Sequence, residues 1–326
     1  MAEWTVLKMG GSLQGAGLEA LTGAIAWCQG HGQRVVVVHG GGPRISQALK
    51  ESGIDLPFVD GERVTTADGM FVVERVLARE VNRELTESLQ KAGIDAAGVS
   101  GAQGVLEAAP LPGRERTARV GRVVTAPLER LVARGLVPVI APIGFDADGL
   151  SYNINADLAA GAVAGALGAG RVVFLTDVPG IYENFEAKAL LTDTSAEHLE
   201  QLLRAGRFHS GMIPKVNAVL SALAAGVQTA FVVDGADARA LRWAVGAGVG
   251  EFATAGTGVA AGSAADKATG PDNAVGTDMA ACSKATMGSQ VPGTGPGPAT
   301  SAAADIVQTR GAERTFGTRV VIERAG

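Results

Sequence analysis

Cysteine is nearly absent: the 326-residue chain has two, Cys28 and Cys282. Two cysteines build neither a disulfide framework nor a cysteine-based zinc site. Histidine is also scarce, with four (His31, His39, His198 and His209), and no metalloprotease-type or Ser-His-Asp arrangement stands out among them. Aromatic residues make up 4% of the chain, too few for base-stacking platforms. Positive charge does not dominate: 28 Lys and Arg stand against 33 Asp and Glu, a formal net charge of −5. A general nucleic-acid binder carries the opposite balance. There is no unbroken 18-residue apolar run, and no opening basic segment followed by an apolar one. Neither a membrane span nor secretion is therefore expected, and the expected location is cytoplasmic. Any phosphate this chain handles must be held by a local arrangement, because the overall field is slightly repulsive.

What is present is a repeating alternation. Short β-branched runs at 5–7, 34–39, 137–140, 172–175, 230–233 and 319–322 predict strands. The valine run at 35–38 reads as a strand buried on both faces. Between them, 18–28, 42–52, 70–92, 156–167, 197–205 and 215–225 predict helices. Strand–helix–strand alternation implies an α/β fold, a three-layer αβα sandwich with a mainly parallel central sheet. The segment 251–310 breaks the pattern. It is built of Ala, Gly, Thr and Ser with scattered Pro, and has no Leu, Tyr or Trp. A run such as Gly293-Thr294-Gly295-Pro296-Gly297-Pro298 forms neither helix nor sheet interior. The segment is read as a low-complexity, flexible insertion, with a small docking module as the rival reading.

The chemistry concentrates at the ends of strands. The first strand runs into Lys8-Met9-Gly10-Gly11 and the second into His39-Gly40-Gly41-Gly42-Pro43. Both are glycine turns at carboxyl ends, where open α/β sheets bind ligands. Glycines let backbone N–H groups approach an anion, and each following helix aims its positive end at the same spot. Neither turn is a Walker loop or a complete dinucleotide fingerprint. Arg63, in Gly61-Glu62-Arg63-Val64-Thr65, suits a bidentate grip on a carboxylate, or else forms a surface ion pair. Asn153, Asn155 and Asp157 alternate before an Ala-rich helix. One such residue is enough for a cap; three on one side of an extended segment can serve a ligand or a lysine. The run Asp177-Val178-Pro179-Gly180-Ile181-Tyr182 follows another strand. Lys215 stands near a helix start, against the helix dipole. A phosphate there would justify it; otherwise it is an exposed lysine of no consequence. Lysines, an aspartate and glycine turns together suggest phosphoryl transfer, which depends on positioning and charge neutralisation.

With these stretches in order, and with Gly98-Val99-Ser100-Gly101 and Gly211-Met212-Ile213-Pro214-Lys215-Val216, the chain resembles the amino-acid kinase family, and within it the acetylglutamate kinases. The resemblance runs from residue 1 to about 250 and from about 311 to 326. It implies an N-terminal lobe (1–170) for acetylglutamate binding and dimerisation, and a nucleotide-binding lobe (171–250 plus 311–326). The implied reaction is phosphorylation of the side-chain carboxylate of N-acetyl-L-glutamate by ATP, with Mg2+ held mainly by the nucleotide. Lys8 and Lys215 would stabilise the transferring phosphoryl group, and Asp157 would orient both. Gly41, Gly42, Arg63, Asn153 and Asn155 would bind the acceptor. Gly10, Gly11, Asp177, Gly180, Ile181 and Tyr182 would serve the nucleotide. The implied assembly is a homodimer, without strong arginine feedback because an extra N-terminal helix is missing. The chain departs from the family at Ser210, where another Gly is common, and at Glu62, where an apolar residue is usual. The alternatives weighed are a kinase for carrier-protein-linked glutamate or α-aminoadipate, a non-catalytic sensor on the same fold, and a dinucleotide-dependent oxidoreductase.

Overall fold

The computed structural model describes residues 3–11, 15–59, 61–208, 212–247 and 316–322. The expected insertion at 251–310 and the departure at Ser210 lie outside the described residues. Eight strands form the central sheet: β1 (Trp4–Met9), β2 (Arg34–His39), β3 (Ala96–Ser100), β4 (Val137–Ala141), β5 (Arg171–Thr176), β6 (Asp193–Ser195), β7 (Thr229–Asp234) and β8 (Gly317–Val321). Their order is β6-β8-β7-β5-β1-β2-β4-β3. Every pairing is parallel except β7 with β8. β1 sits in the middle, bonded to β2 on one side and β5 on the other. The chain thus leaves β1 in one direction and returns to its opposite edge, which opens a crevice at the carboxyl ends.

Helices α1 (Ala16–Gly30), α2 (Gly42–Glu51), α3 (Ala67–Glu74), α4 (Asn82–Lys91), α5 (Ala126–Ala133), α6 (Ala156–Ala166), α7 (Ala196–Arg204), α8 (Ile213–Ala224) and α9 (Ala238–Gly246) cover the sheet and its carboxyl edge. Successive strand residues point to opposite faces. Leu7, Val35, Val37 and Val173 meet α1, α4 and α9 on one face. Val6, Val36, Val38 and Val172 meet α6 and α8 on the other. Burial on both faces is why these strands are continuous apolar runs. Each such side chain contributes roughly 1.5–3 kcal/mol on burial.

Several elements go beyond the sequence-based expectation. β3 and β6, α5 and α9 emerge only in the structure, as does a small closed barrel of Leu106–Pro110, Thr117–Val123, Ile143–Phe145 and Ser151–Ile154. The expected single helix at 70–92 is three consecutive segments, because a π-helical stretch, Arg75–Val81, joins α3 to α4. A two-stranded hairpin, Phe58–Val59 with Glu62–Arg63, stands at the sheet's carboxyl edge. Its Gly61 has φ +79, and a Cβ there would lie 3.0 Å from Pro214 Cγ of α8. Only glycine combines that backbone angle with so close an approach.

Candidate active site

The two glycine turns lie side by side because β1 and β2 pair in register, with Lys8 opposite Val38 and Met9 opposite His39. A Cβ on Gly11 would meet the Gly41 nitrogen at 2.6 Å, so the turns touch backbone to backbone. Gly41 is the N-cap of α2 and Gly42 its first residue. Their N–H groups belong to the set a helix start leaves unpaired, at its positive end. Gly10 differs from expectation: its N–H donates to Leu175 O at 3.2 Å. It extends the β1–β5 ladder and is not free for a phosphate. Below the second turn, His39 is buried, with Nδ1 2.9 Å from Gly40 O and Nε2 3.0 Å from Asn82 Nδ2. A carbonyl only accepts, so Nδ1 carries the proton and Nε2 accepts from Asn82. Asn82 also donates to Val139 O at 2.8 Å. Burial pushes the His39 pKa down to about 4, so the ring is neutral at ordinary pH.

A cavity of about 280 Å³ opens above these turns. Lys8, Gly11, Gly41, Gly42, Arg63, Asn153, Asn155 and Asp157 all border it. Lys8 Nζ lies 2.6 Å from Asp157 Oδ1. Asp157 is held by its place in the first turn of α6, where its own N–H is capped by Asn155 Oδ1 at 2.9 Å. The three alternating Asx residues therefore do not share one extended segment. Asn153 lies within the barrel strand Ser151–Ile154, Asn155 is the N-cap, and Asp157 is helical. They reach one cavity because the strand turns directly into the helix.

Arg63 is 7% exposed, which rules out the surface ion pair. Its Nη2 donates to Ser46 Oγ at 2.7 Å and lies 3.4 Å from Gly42 O, while Phe58 stacks 4.4 Å from its guanidinium carbon. No carboxylate among the described residues lies within ion-pair distance of it. Desolvation lowers its pKa, the signature of a cation removed from water. Its carbonyl accepts from Thr65 Oγ1 and Thr117 Oγ1 at 3.1 and 2.9 Å, and Asn153 Nδ2 donates to Thr65 Oγ1 at 3.0 Å. Arg63 and Asn153 are thereby locked to one another through the barrel.

The remaining expected residues fall elsewhere. Lys215, in the first turn of α8, is 3.8 Å from Asp177 Oδ1 and does not border this cavity. Asp157 thus holds Lys8 alone, not both lysines as expected, because the carboxylate near Lys215 is that of Asp177. Ile181 is fully buried, and its N–H donates to Thr318 Oγ1 at 2.8 Å. Its side chain belongs to the core and offers a nucleotide no surface. Gly180 packs on the same threonine, with 2.6 Å from a hypothetical Cβ to Thr318 Oγ1. Tyr182 starts a short ribbon with Ala189–Leu190. Ser46, Leu77, Thr65, Thr117 and Thr318 were not anticipated. For Thr65 the signal was its place beside Arg63; the others sit in stretches with no distinguishing pattern.

The amino acid kinase family matches residues 3–234. The chain is 44% identical to an acetylglutamate kinase of Geobacillus stearothermophilus over 239 residues, covering 72% of this chain and 91% of that one. Among solved structures it is similar to the smu.665 protein of Streptococcus mutans, with a TM-score of 0.65 and 29% identity over 72% of this chain and 96% of that one. The carbamate kinase of Giardia shares the fold, with a TM-score of 0.57 and 14% identity over 75% of this chain and 96% of that one. With its lysine-aspartate pair, its paired glycine turns and these relatives, the chain belongs to the amino acid kinase family.

Proposed function

We propose that this chain is an enzyme of arginine biosynthesis that transfers the terminal phosphoryl group of ATP to the side-chain carboxylate of N-acetyl-L-glutamate, giving N-acetyl-L-glutamyl 5-phosphate and ADP. The observation that carries the reading is Arg63, a buried cation without a described carboxylate partner, bordering the same cavity as Lys8 and Asp157. A substrate carboxylate supplies the counter-charge that the protein withholds.

The geometry supports these roles. Arg63 grips the α-carboxylate, and Asn153, tied to it through Thr65, orients the neighbouring atoms. Lys8, fixed by Asp157, neutralises charge as an oxygen of the side-chain carboxylate bonds to phosphorus and the bond to ADP breaks. The acceptor is already ionised, so no general base is needed. Backbone N–H groups of Gly11, Gly41 and Gly42 hold anionic oxygens at the α2 terminus. Lys215, only loosely paired with exposed Asp177, is free to swing to the phosphoryl group from the other side. The nucleotide lies along Gly11, Asp177 and the turn to Tyr182. ATP brings the phosphoryl group, and Mg2+ bound to it would neutralise charge on its phosphates. Asp157 is engaged by Lys8, so the nucleotide, rather than this carboxylate, would hold the ion. The chain acts in the cytoplasm as a homodimer.

The test is an ATP-dependent hydroxamate assay across free acidic amino acids and their N-acyl derivatives. N-acetyl-L-glutamate should give the highest kcat/KM in the panel of free and acetylated amino acids. No turnover of it, with turnover of free glutamate or aspartate, would refute the reading.

A further inference from the structure

Glu62 and Asn155 border the acceptor cavity. Both residues also border a second cavity, of about 480 Å³, between the barrel and α8. Two guanidinium groups line it, those of Arg114 and Arg119. Among the described residues, the one carboxylate in its wall is Glu62, 3.9 Å from Arg119 Nε. That distance and the exposure of Arg119 make the pair a weak one. Arg114 is more telling: its Nη1 is buried and has no hydrogen-bond partner among the described residues. A buried guanidinium nitrogen without an acceptor is costly unless a ligand oxygen satisfies it. Neither arginine borders the acceptor cavity, so neither is needed to hold N-acetyl-L-glutamate. Leu158 and Leu220 give the same cavity an apolar stretch.

The remaining geometry concerns the acceptor, and rests on the function proposed above. With its α-carboxylate at Arg63 and its side-chain carboxylate at Lys8, an N-acylated glutamate has one substituent left, the acyl group. Glu62 and Asn155, which border both cavities, are where that group would pass from one to the other. We propose that the second cavity is a subsite for that group, and that the enzyme accepts N-acyl-L-glutamates whose acyl chain is longer than acetyl and ends in a carboxylate. The methylenes lie against Leu158 and Leu220, and the terminal carboxylate pairs with Arg114, with Arg119 as the outer partner. Net charge in the cavity is positive, two guanidiniums against one carboxylate, and a planar fork suits a carboxylate better than a neutral amide. Glu62, at the junction, disfavours a carboxylate placed too early along the chain, so reach matters.

The experiment uses the full chain and compares kcat/KM for N-acetyl-, N-succinyl- and N-glutaryl-L-glutamate with that for the terminal amides of the last two. One carboxylate-ended acceptor should exceed its own amide by about tenfold or more, the scale of one charge-assisted bond. Arg114→Gln should remove that preference while changing N-acetyl-L-glutamate turnover less than about twofold. Arg119→Gln, at an exposed position where substitution should leave the fold intact, should reduce the preference by a smaller factor, and it carries the test if Arg114→Gln does not fold. Equal turnover of acid and amide, or an equal loss on every acceptor in the folded Arg114→Gln variant, overturns the proposal. If N-acetyl-L-glutamate is inert but the longer acids are turned over, the choice of acetylated substrate fails and the subsite stands. If all N-acyl acceptors are inert, both fail.

Discussion

Replacing Gly11 with alanine tests the central claim that the two glycine turns act as one device. The added Cβ would lie 2.6 Å from Gly41 N, 2.8 Å from Gly41 Cα and 3.1 Å from Gly40 C. All three are backbone atoms of the opposing turn, so no rotamer change relieves the contact. The turns must part, by on the order of 1 Å, before those contacts become ordinary. Overpacking of this kind costs about 1–3 kcal/mol of stability. The catalytic cost is larger, because a displacement near 1 Å in a positioning element costs on the order of 10²-fold in rate. The helix-terminal N–H groups of Gly41 and Gly42 move with the turn, so the loss should fall mainly on kcat.

Two measurements decide it. Urea unfolding followed by tryptophan fluorescence gives the stability change, and the hydroxamate assay gives kcat and KM. Gly23→Ala is the control. That glycine is exposed within α1, and a Cβ there meets nothing within 4 Å. It should gain about 0.5–1 kcal/mol from helix propensity and keep full activity. A Gly11→Ala enzyme that folds and keeps normal kcat would show that the contact between the turns has no part in catalysis.

Lys8→Ala should lower kcat by roughly 10²-fold or more, the scale of losing one preorganised donor; near-normal turnover in the folded variant would remove Lys8 from the chemistry. Arg63→Ala should mainly raise the KM for N-acetyl-L-glutamate, and an unchanged KM would reduce this buried arginine to a structural part. His39 makes a pH prediction. Its folded pKa, about 4, lies below the unfolded value near 6.5, so the unfolded chain takes up a proton that the native state refuses. Stability should therefore fall as pH drops from about 6.5 to about 4, by roughly 3 kcal/mol in total. Denaturation midpoints at pH 7 and 4.5 should show this loss in wild type and less of it in His39→Gln, and equal losses would sink the account.

The sheet was legible because its strands are buried on both faces. Val35 to Val38 have no polar partner to alternate with, and that pattern admits few other readings. The barrel was not legible for the opposite reason. In Thr117–Val123 only Thr117 and Ala118 are buried, and in Leu106–Pro110 only Leu106 is. Strands with one or two buried positions leave no periodic signal. The π-helical stretch is equally silent, since the sequence through Arg75–Val81 keeps ordinary helical character. Yet this region sets the site: Leu77 borders the acceptor cavity, and Asn82 just beyond reaches His39 beneath the second turn. The motif at Gly98 gains its meaning only here, because a Cβ there would lie 2.2 Å from Asn82 Oδ1.

The Asx run shows how far spacing alone can lead. Three polar residues two apart, at 153, 155 and 157, predict a shared destination, and they do share one. The reason is not the strand period. Asn153 is fixed by its bond to Thr65, Asn155 gives its oxygen to the α6 cap, and Asp157 lies on the first helical turn facing Lys8. Each is held by a different constraint, two of them involving residues remote in sequence. Substitutions should therefore separate. Loss of Asn153 frees the hairpin that carries Arg63 and should act on acceptor affinity. Loss of the Asn155 cap should cost about 1 kcal/mol of stability. Loss of the Asp157 carboxylate releases Lys8 and should act on turnover. If all three variants lost affinity, stability and turnover in the same proportion, the site would be one cooperative unit, and the separate roles drawn here would be wrong.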